Sequence, residues 1–147
     1  MVPTKERNVQ AFYLERNGEG ILIDCGEGTQ RQLNIAGIKR NKVKKILISH
    51  WHGDHTSGLV GLIQTVGNIE GDQKLVIYGP EETKERMHHL MNSCIFEKKI
   101  ELEIHEIKIK KLTKIFDAED YFIEAIPLDH SVPCLGYNII EKEKRQI

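Results

Sequence analysis

The sequence predicts an α/β chain that could form one half of a layered α/β/β/α sandwich. Two observations predict this class. Up to about residue 94, short apolar strand candidates alternate with amphipathic helix candidates, and from Ile100 onward the apolar residues recur mainly with the period of two that is typical of strands. The 147 residues are enough for one domain with a real core, and no repeat or linker divides them. We therefore expect a single, partial domain over 1–147.

A β-hairpin and a short helix are predicted first. Residues 9–15 are rich in β-forming side chains, and Asn17-Gly18 is a strong hairpin turn signal. The partner strand is expected at 20–24. Glycines then break the strand, and a short helix is expected over 29–36.

Two strands and two helices follow in alternation. The run 43–49 is short and apolar enough to be a buried strand, and a helix is expected over about 57–66, where apolar residues recur at helical spacing. A strand at 74–78 precedes the most distinct helix candidate, 81–94. Two glutamates open that candidate, which suits the positive end of a helix dipole.

The last third of the chain is predicted to be mostly strand. Ile100, Leu102 and Ile104 share one face, whereas Ile107 and Ile109 have the opposite parity, so we expect a turn or bulge near 105–106. Further strands are expected near 112–116, 121–126 and 135–140.

Three histidines and an aspartate fall within six residues, directly after the strand expected at 43–49. His50 and His52 are two residues apart, so in extended chain they point the same way and can bind one ion. Asp54 and His55 follow Gly53, which permits a sharp turn towards a second ion. Zinc favours these ligands, and two metals sharing a bridging hydroxide can hydrolyse a phosphodiester. The alternative is a patch of surface histidines after a strand.

Two residues outside this cluster are further candidates. His130 follows a strand candidate and could complete a site with His50 and His52, although lone histidines are common at strand ends. Asp24 ends an apolar strand, where it either caps a turn or orients a ligating histidine. The remaining histidines, on the 81–94 helix and at His105, are interpreted as surface residues.

Composition excludes several classes of protein. The formal net charge of -1 argues against a coat of positive charge, although a local basic patch is allowed. No stretch approaches the roughly 18 uninterrupted apolar residues of a membrane span, and the first residues do not resemble a secretory signal.

Three cysteines without a C-x-x-C pair indicate neither a disulfide framework nor a cysteine zinc site. Reduced thiols predict a cytoplasmic location, and Cys25 is interpreted as a packing residue.

These motifs resemble the metallo-β-lactamase superfamily and, within it, the tRNase Z (ribonuclease Z) family. The segment SHWHGDH at 49–55 fits the superfamily motif H-x-H-x-D-H. Four other segments are similar to tRNase Z motifs and stand in the same order: PTKERN at 3–8, DCGEGTQ at 24–30, GLVGL at 58–62 and HSVPCLGY at 130–137. The resemblance covers nearly the whole chain. It implies the αββα sandwich of that superfamily, of which this chain would be the amino-terminal half.

The resemblance also implies a role for each candidate residue. One zinc ion would be held by His50, His52 and His130, and the other by Asp54 and His55, with Asp54 also acting in proton transfer. The family's bridging aspartate and final histidine for the second zinc have no counterpart here. Binding of the tRNA 3′ end would fall to Lys5, Arg7 and Asn8, although from the residues alone that loop would be a solvated turn.

The implied activity is that of a zinc-dependent endoribonuclease. It would remove the 3′ trailer from precursor tRNA by attack of a metal-bound hydroxide, and family members are often homodimers. Two alternatives stay open. One is a different hydrolase on the same scaffold, such as a phosphodiesterase or an arylsulfatase-like enzyme, and the other is an inactive, truncated zinc-binding fragment.

Overall fold

Two β-sheets and a layer of helices make up the described part of the chain. The computed structural model describes residues 2–143, so the domain expected over 1–147 extends beyond them at both ends. The elements in chain order are β1 Phe12–Arg16, β2 Glu19–Ile23, α1 Thr29–Ile35, a 3-10 turn Arg40–Lys42, β3 Val43–Leu47, α2 Gly53–Thr56, α3 Leu59–Gly67, β4 Gln73–Gly79, α4 Thr83–Met91, β5 Ile100–Glu106, β6 Thr113–Asp117, β7 Tyr121–Pro127 and β8 Leu135–Glu141.

The first sheet contains five strands in the order β1-β2-β3-β4-β5. β1 and β2 form the antiparallel hairpin expected around Asn17-Gly18, and β2, β3, β4 and β5 are parallel. The second sheet contains β6, β7 and β8 in that order, all antiparallel. In parallel strands the carboxyl ends meet at one edge, where sites of open α/β sheets commonly lie. The histidine cluster follows β3 at this edge.

Two apolar clusters hold three layers together. On one face of the first sheet, side chains such as Ile46, Leu62 and Met87 are fully buried between the strands and the helices α1, α3 and α4. On the other face, residues of both sheets, including Leu47 and Ile123, form a second cluster. The layers are thus helix, sheet, sheet, as expected for one half of the predicted sandwich.

The helix predicted over 81–94 is shorter at both ends than expected. Glu82 has a left-handed backbone with φ of 74°, so α4 begins only at Thr83 and the two glutamates do not open it. At the other end, the amide groups of Asn92 and Ser93 donate to carbonyl groups three residues earlier, which tightens the last turn. Ile95 lies beyond the helix and is exposed.

The parity change after Ile104 has a different origin from the expected bulge. β5 pairs with β4 without a register shift from Ile100 to Glu106. Ile104 packs against the cluster on the helix side, whereas Ile107 packs between the sheets. The apolar residues therefore change face without any slip of the chain. His105 is also less solvated than expected, because its ring stacks on Tyr78 with 4.8 Å between centroids.

The two hairpin strands differ slightly from their predicted bounds. The first strand begins at Phe12, three residues later than expected, and the second ends before Asp24, whose φ of 59° takes it out of the extended conformation. No helix within residues 2–143 has the length and apolar character that crossing a bilayer requires.

Candidate metal centre

The chain leaves β3 in a conformation that buries the first histidine. Ile48 donates its amide to the carbonyl of Tyr78 at 2.7 Å, which extends the contact between β3 and β4 by one residue. His50 follows two residues later with only 7% of its surface exposed. Because the strand β3 is buried and apolar, the imidazole that follows it lies at the carboxyl edge of the sheet.

Three imidazoles converge at this edge. His50 follows β3, His52 is the residue before α2, and His130 lies on the loop between β7 and β8. One ligand nitrogen from each lies within 4.8 Å of the others, and His52 Nδ1 is 3.4 Å from His130 Nε2. Two nitrogens bound to one tetrahedral zinc ion at about 2.0–2.1 Å lie roughly 3.3–3.4 Å apart. The His52–His130 pair therefore has the spacing of two zinc ligands, and the set of three imidazoles suits one metal ion.

Hydrogen bonds between the sheets put His130 beside the other two histidines. The Leu135 amide donates to the Ser49 carbonyl at 2.8 Å, and the hydroxyl of the half-buried Tyr137 donates to the Ile48 carbonyl at 2.7 Å. Both contacts join β8 to the segment that follows β3. The loop ahead of β8 is thereby held over the carboxyl edge of the first sheet.

The protonation state of His50 suits a metal ligand. Burial lowers the pKa of this imidazole, and the nearby His55, His130 and His52 lower it further because a second positive charge among them is unfavourable. A lowered pKa keeps His50 neutral at physiological pH, which is the form that binds metal.

Asp54 and His55 are candidate ligands of a second metal ion. We call this pair the second half-site, and His50, His52 and His130 the first half-site. The ring centroids of His55 and His50 are 4.1 Å apart, and Asp54 Oδ2 is 3.7 Å from His55 Nε2. Within residues 2–143, however, His50, His52 and His130 are the only three such side chains close enough together to hold an ion. The described residues thus contain three candidate ligands for one ion and two for another.

Asp24 is buried beneath both half-sites. Its side chain is surrounded by donors: Ser49 donates its amide to Oδ1 at 2.8 Å and its hydroxyl to Oδ2 at 2.8 Å, and His55 Nδ1 is 2.7 Å from Oδ2. Of the two roles considered for Asp24, the contact with His55 favours the orienting one over a turn cap.

Two glycines let α2 pack closely against the loop after β2. A Cβ atom on Gly26 would lie 2.3 Å from the Asp54 carbonyl, and one on Gly58 would lie 2.3 Å from the Gly26 carbonyl. The Cys25 amide donates to the His55 carbonyl at 2.7 Å across this contact. The first glycine of the DCGEGTQ segment and the first glycine of the GLVGL segment are therefore needed because a side chain at either position would clash with backbone.

Lys5, Arg7 and Asn8 lie along a neighbouring cavity of about 490 Å³. The opposite wall comes from α1 and β1, including Arg31 and Tyr13. None of the clustered histidines or Asp54 is among the described residues that line this cavity. The structure thus brings His50, His52 and His130 together, with His55 beside His50 and Asp54 beside His55. The proposed tRNA-binding loop lines a separate cavity together with residues of α1.

Cys25 is predicted to resist alkylation in the folded chain. It is completely buried, and burial raises the pKa of its thiol to about 12, so almost no thiolate exists near neutral pH. Cys94 is exposed and serves as the internal control. Iodoacetamide at pH 8 followed by peptide mass spectrometry should modify Cys94 within minutes and Cys25 only after unfolding. Equal modification rates of the two cysteines in the native chain would contradict the burial described here.

Comparison with known sequences identifies the family. The family model described as "Anti-Pycsar protein Apyc1" matches residues 3–143. The chain belongs to this family. It is also 41% identical over 146 residues to the ribonuclease Z of Methanococcus aeolicus and 43% identical over 145 residues to that of Thermococcus gammatolerans. These matches cover 99% of this chain and 45% of each relative, so the chain spans about half their length. The resemblance to ribonuclease Z is confirmed.

Comparison with solved structures confirms the fold of this family member. The short form of human tRNase Z superposes with a TM-score of 0.85 at 30% identity, over 95% of this chain and 61% of the human one. The metallo-β-lactamase fold protein YhfI from Bacillus subtilis superposes with a TM-score of 0.72 at 20% identity, over 93% of this chain and 53% of that one. The predicted metallo-β-lactamase-type sandwich is therefore correct.

Proposed function

We propose that this chain contributes to a zinc-dependent endoribonuclease that removes the 3′ trailer from precursor tRNA. The observation that carries the proposal is the convergence of His50, His52 and His130 within 4.8 Å at the carboxyl edge of the parallel strands. Similarity to relatives named ribonuclease Z, and to human tRNase Z, supports the choice of tRNA as substrate.

The chain's own residues would perform four tasks. His50, His52 and His130 would hold one zinc ion as neutral imidazoles, and Asp54 with His55 would provide part of the site for a second. Zinc bound there would supply Lewis acidity, which lowers the pKa of water towards about 7 and makes a nucleophile available at neutral pH. Asp54, on the short helix α2 beside His55, would exchange a proton with the reacting groups. Lys5, Arg7 and Asn8 would bind phosphate and sugar groups of the tRNA end.

Cleavage of precursor tRNA tests this proposal. The zinc-loaded chain is incubated with a precursor carrying a 3′ trailer, with the ribonuclease Z of Methanococcus aeolicus as the positive control. We expect a product ending in a 3′ hydroxyl, and we expect Asp54→Ala to abolish cleavage while leaving the circular dichroism spectrum unchanged. Asp72→Ala, in an exposed loop, is the matched control and should retain activity. Full activity of Asp54→Ala would remove Asp54 from the proposed chemistry.

A phosphodiesterase that acts on small molecules is the second candidate. It is favoured by the generality of the site, because imidazoles that converge on one metal ion suit hydrolysis of a small phosphodiester as well as of tRNA. A chromogenic phosphodiester, such as bis(p-nitrophenyl) phosphate, is assayed beside the precursor tRNA. Hydrolysis of the ester without any tRNA product would favour this candidate over the nuclease.

A zinc-binding chain without turnover is the third candidate. It is favoured by the second half-site, for which only Asp54 and His55 are candidates within residues 2–143. One zinc ion per chain without hydrolysis of either substrate would support it. The homodimer implied by the resemblance and the cytoplasmic location predicted from reduced thiols stay predictions.

A further inference from the structure

The hydroxyl group of Ser49 lies between the two half-sites. Its Oγ atom is 2.8 Å from Asp24 Oδ2, 2.9 Å from His50 Nδ1 and 3.4 Å from His55 Nδ1. The side chain is half-buried, and its own amide also donates to Asp24 Oδ1. One small side chain therefore contacts a candidate ligand of each ion and the carboxylate beneath them.

The position of each proton in this cluster follows from which groups can donate a hydrogen bond and which can only accept one. A carboxylate only accepts, so the contacts of Asp24 Oδ2 with Ser49 Oγ and His55 Nδ1 require a proton on each of those two atoms. The single hydroxyl proton of Ser49 is then used towards Asp24. Its oxygen can only accept from His50, so His50 Nδ1 must also carry a proton.

This assignment fixes the tautomers of both histidines. A neutral imidazole with its proton on Nδ1 has its lone pair on Nε2, and only the nitrogen with the lone pair can bind metal. In His50 and His55, Nε2 is thus the atom free to bind a metal. The opposite tautomer would direct an N–H group at the ion and remove a ligand from it.

We propose that Ser49 is a positioning residue that couples the two half-sites by setting the tautomer of His50 while sharing Asp24 with His55. This inference rests on the proposed function in so far as both histidines are metal ligands. His55 has its own contact with Asp24 at 2.7 Å, whereas among residues 2–143 the Ser49 hydroxyl is the one hydrogen-bond partner of His50 Nδ1. Removing the Ser49 hydroxyl should therefore change the tautomer of His50 and leave that of His55 unchanged.

Histidine tautomers in the metal-free chain test the inference directly. Long-range ¹H–¹⁵N correlation spectra are recorded near pH 8, above the ordinary imidazole pKa of about 6.5. We expect His50 and His55 to be protonated on Nδ1 in the wild type. In Ser49→Ala, His50 should become a mixture of tautomers while His55 stays unchanged. Ser49→Thr, which keeps a hydroxyl, should restore the wild-type spectrum, and Ser57→Ala, at an exposed serine after α2, should not alter it.

Zinc affinity gives the second readout, measured by competition with a chromogenic chelator. Removing a hydrogen-bond partner of a ligating histidine costs about 10- to 100-fold in metal affinity. We expect a loss of that size in Ser49→Ala and a much smaller one in Ser49→Thr, with unchanged circular dichroism. A His50 tautomer or a zinc affinity that does not respond to Ser49→Ala would overturn the inference. If the wild-type chain binds no zinc, the proposed function fails, and the tautomer spectra still decide the role of Ser49.

Discussion

Replacing His130 by alanine is expected to weaken zinc binding by about 100- to 1,000-fold. Structural zinc sites with four protein ligands bind with about 10–16 kcal/mol, so one ligand contributes roughly 2.5–4 kcal/mol, and each 1.4 kcal/mol is a factor of ten in affinity. His130 is exposed on the loop before β8, so its removal should cost little folding stability. The effect would thus be one of coordination and not of misfolding.

An exposed histidine elsewhere in the chain provides the control for this result. His89 lies on the outer surface of α4, and His89→Ala should bind zinc like the wild type. Competition with a chelator measures the affinity of all three proteins. Equal affinities of His130→Ala and His89→Ala would mean that His130 is not a zinc ligand.

Replacing Asp24 by alanine is expected to lower the free energy of unfolding of the metal-free chain by roughly 3 kcal/mol or more. The Asp24 side chain is almost completely buried and accepts hydrogen bonds from Ser49 and His55. Without the carboxylate, buried donors lose their partner, at a cost of about 1–3 kcal/mol each. The left-handed backbone at this position, with φ of 59°, adds strain for alanine because aspartate tolerates that conformation better.

Two further variants make this second result specific. Asp24→Asn keeps an oxygen acceptor and tolerates the left-handed backbone, so it should lose less stability than Asp24→Ala. Asp72→Ala removes an exposed carboxylate and should change the free energy of unfolding by no more than about 0.5 kcal/mol. Urea denaturation in the presence of a chelator gives all three values. A loss in Asp24→Ala as small as that in Asp72→Ala would show that the carboxylate is not the centre of this network.

Local sequence patterns were sufficient to predict most elements and the first part of the site. The apolar run before His50 predicted a buried strand, and the two-residue spacing to His52 predicted two imidazoles on one side of the chain. Their convergence was predicted because it depends on neighbouring residues alone. The predicted ends of α4 were wrong. The first end was missed because the left-handed turn at Glu82 depends on one backbone angle, which the periodicity of apolar residues does not indicate.

Contacts between distant residues could not be predicted in the same way. His130 became a strong candidate only through the family resemblance, because its position depends on bonds such as that from Tyr137 to Ile48, which are 89 residues apart. Ser49 was missed, although a polar residue at the end of an apolar strand, directly before His50, was a visible signal. The placement of Lys5 beside α1 likewise depends on packing between the amino-terminal loop and that helix.

Three imidazoles, two after β3 of the first sheet and one before β8 of the second, are expected to bind one zinc ion. Zinc K-edge X-ray absorption on the chain loaded with one equivalent of zinc tests this coordination. Three imidazole nitrogens at about 2.0–2.1 Å are predicted for the wild type, and two for His130→Ala. A sulfur neighbour at about 2.3 Å, or a shell of oxygen atoms without imidazole scattering, would contradict the claim.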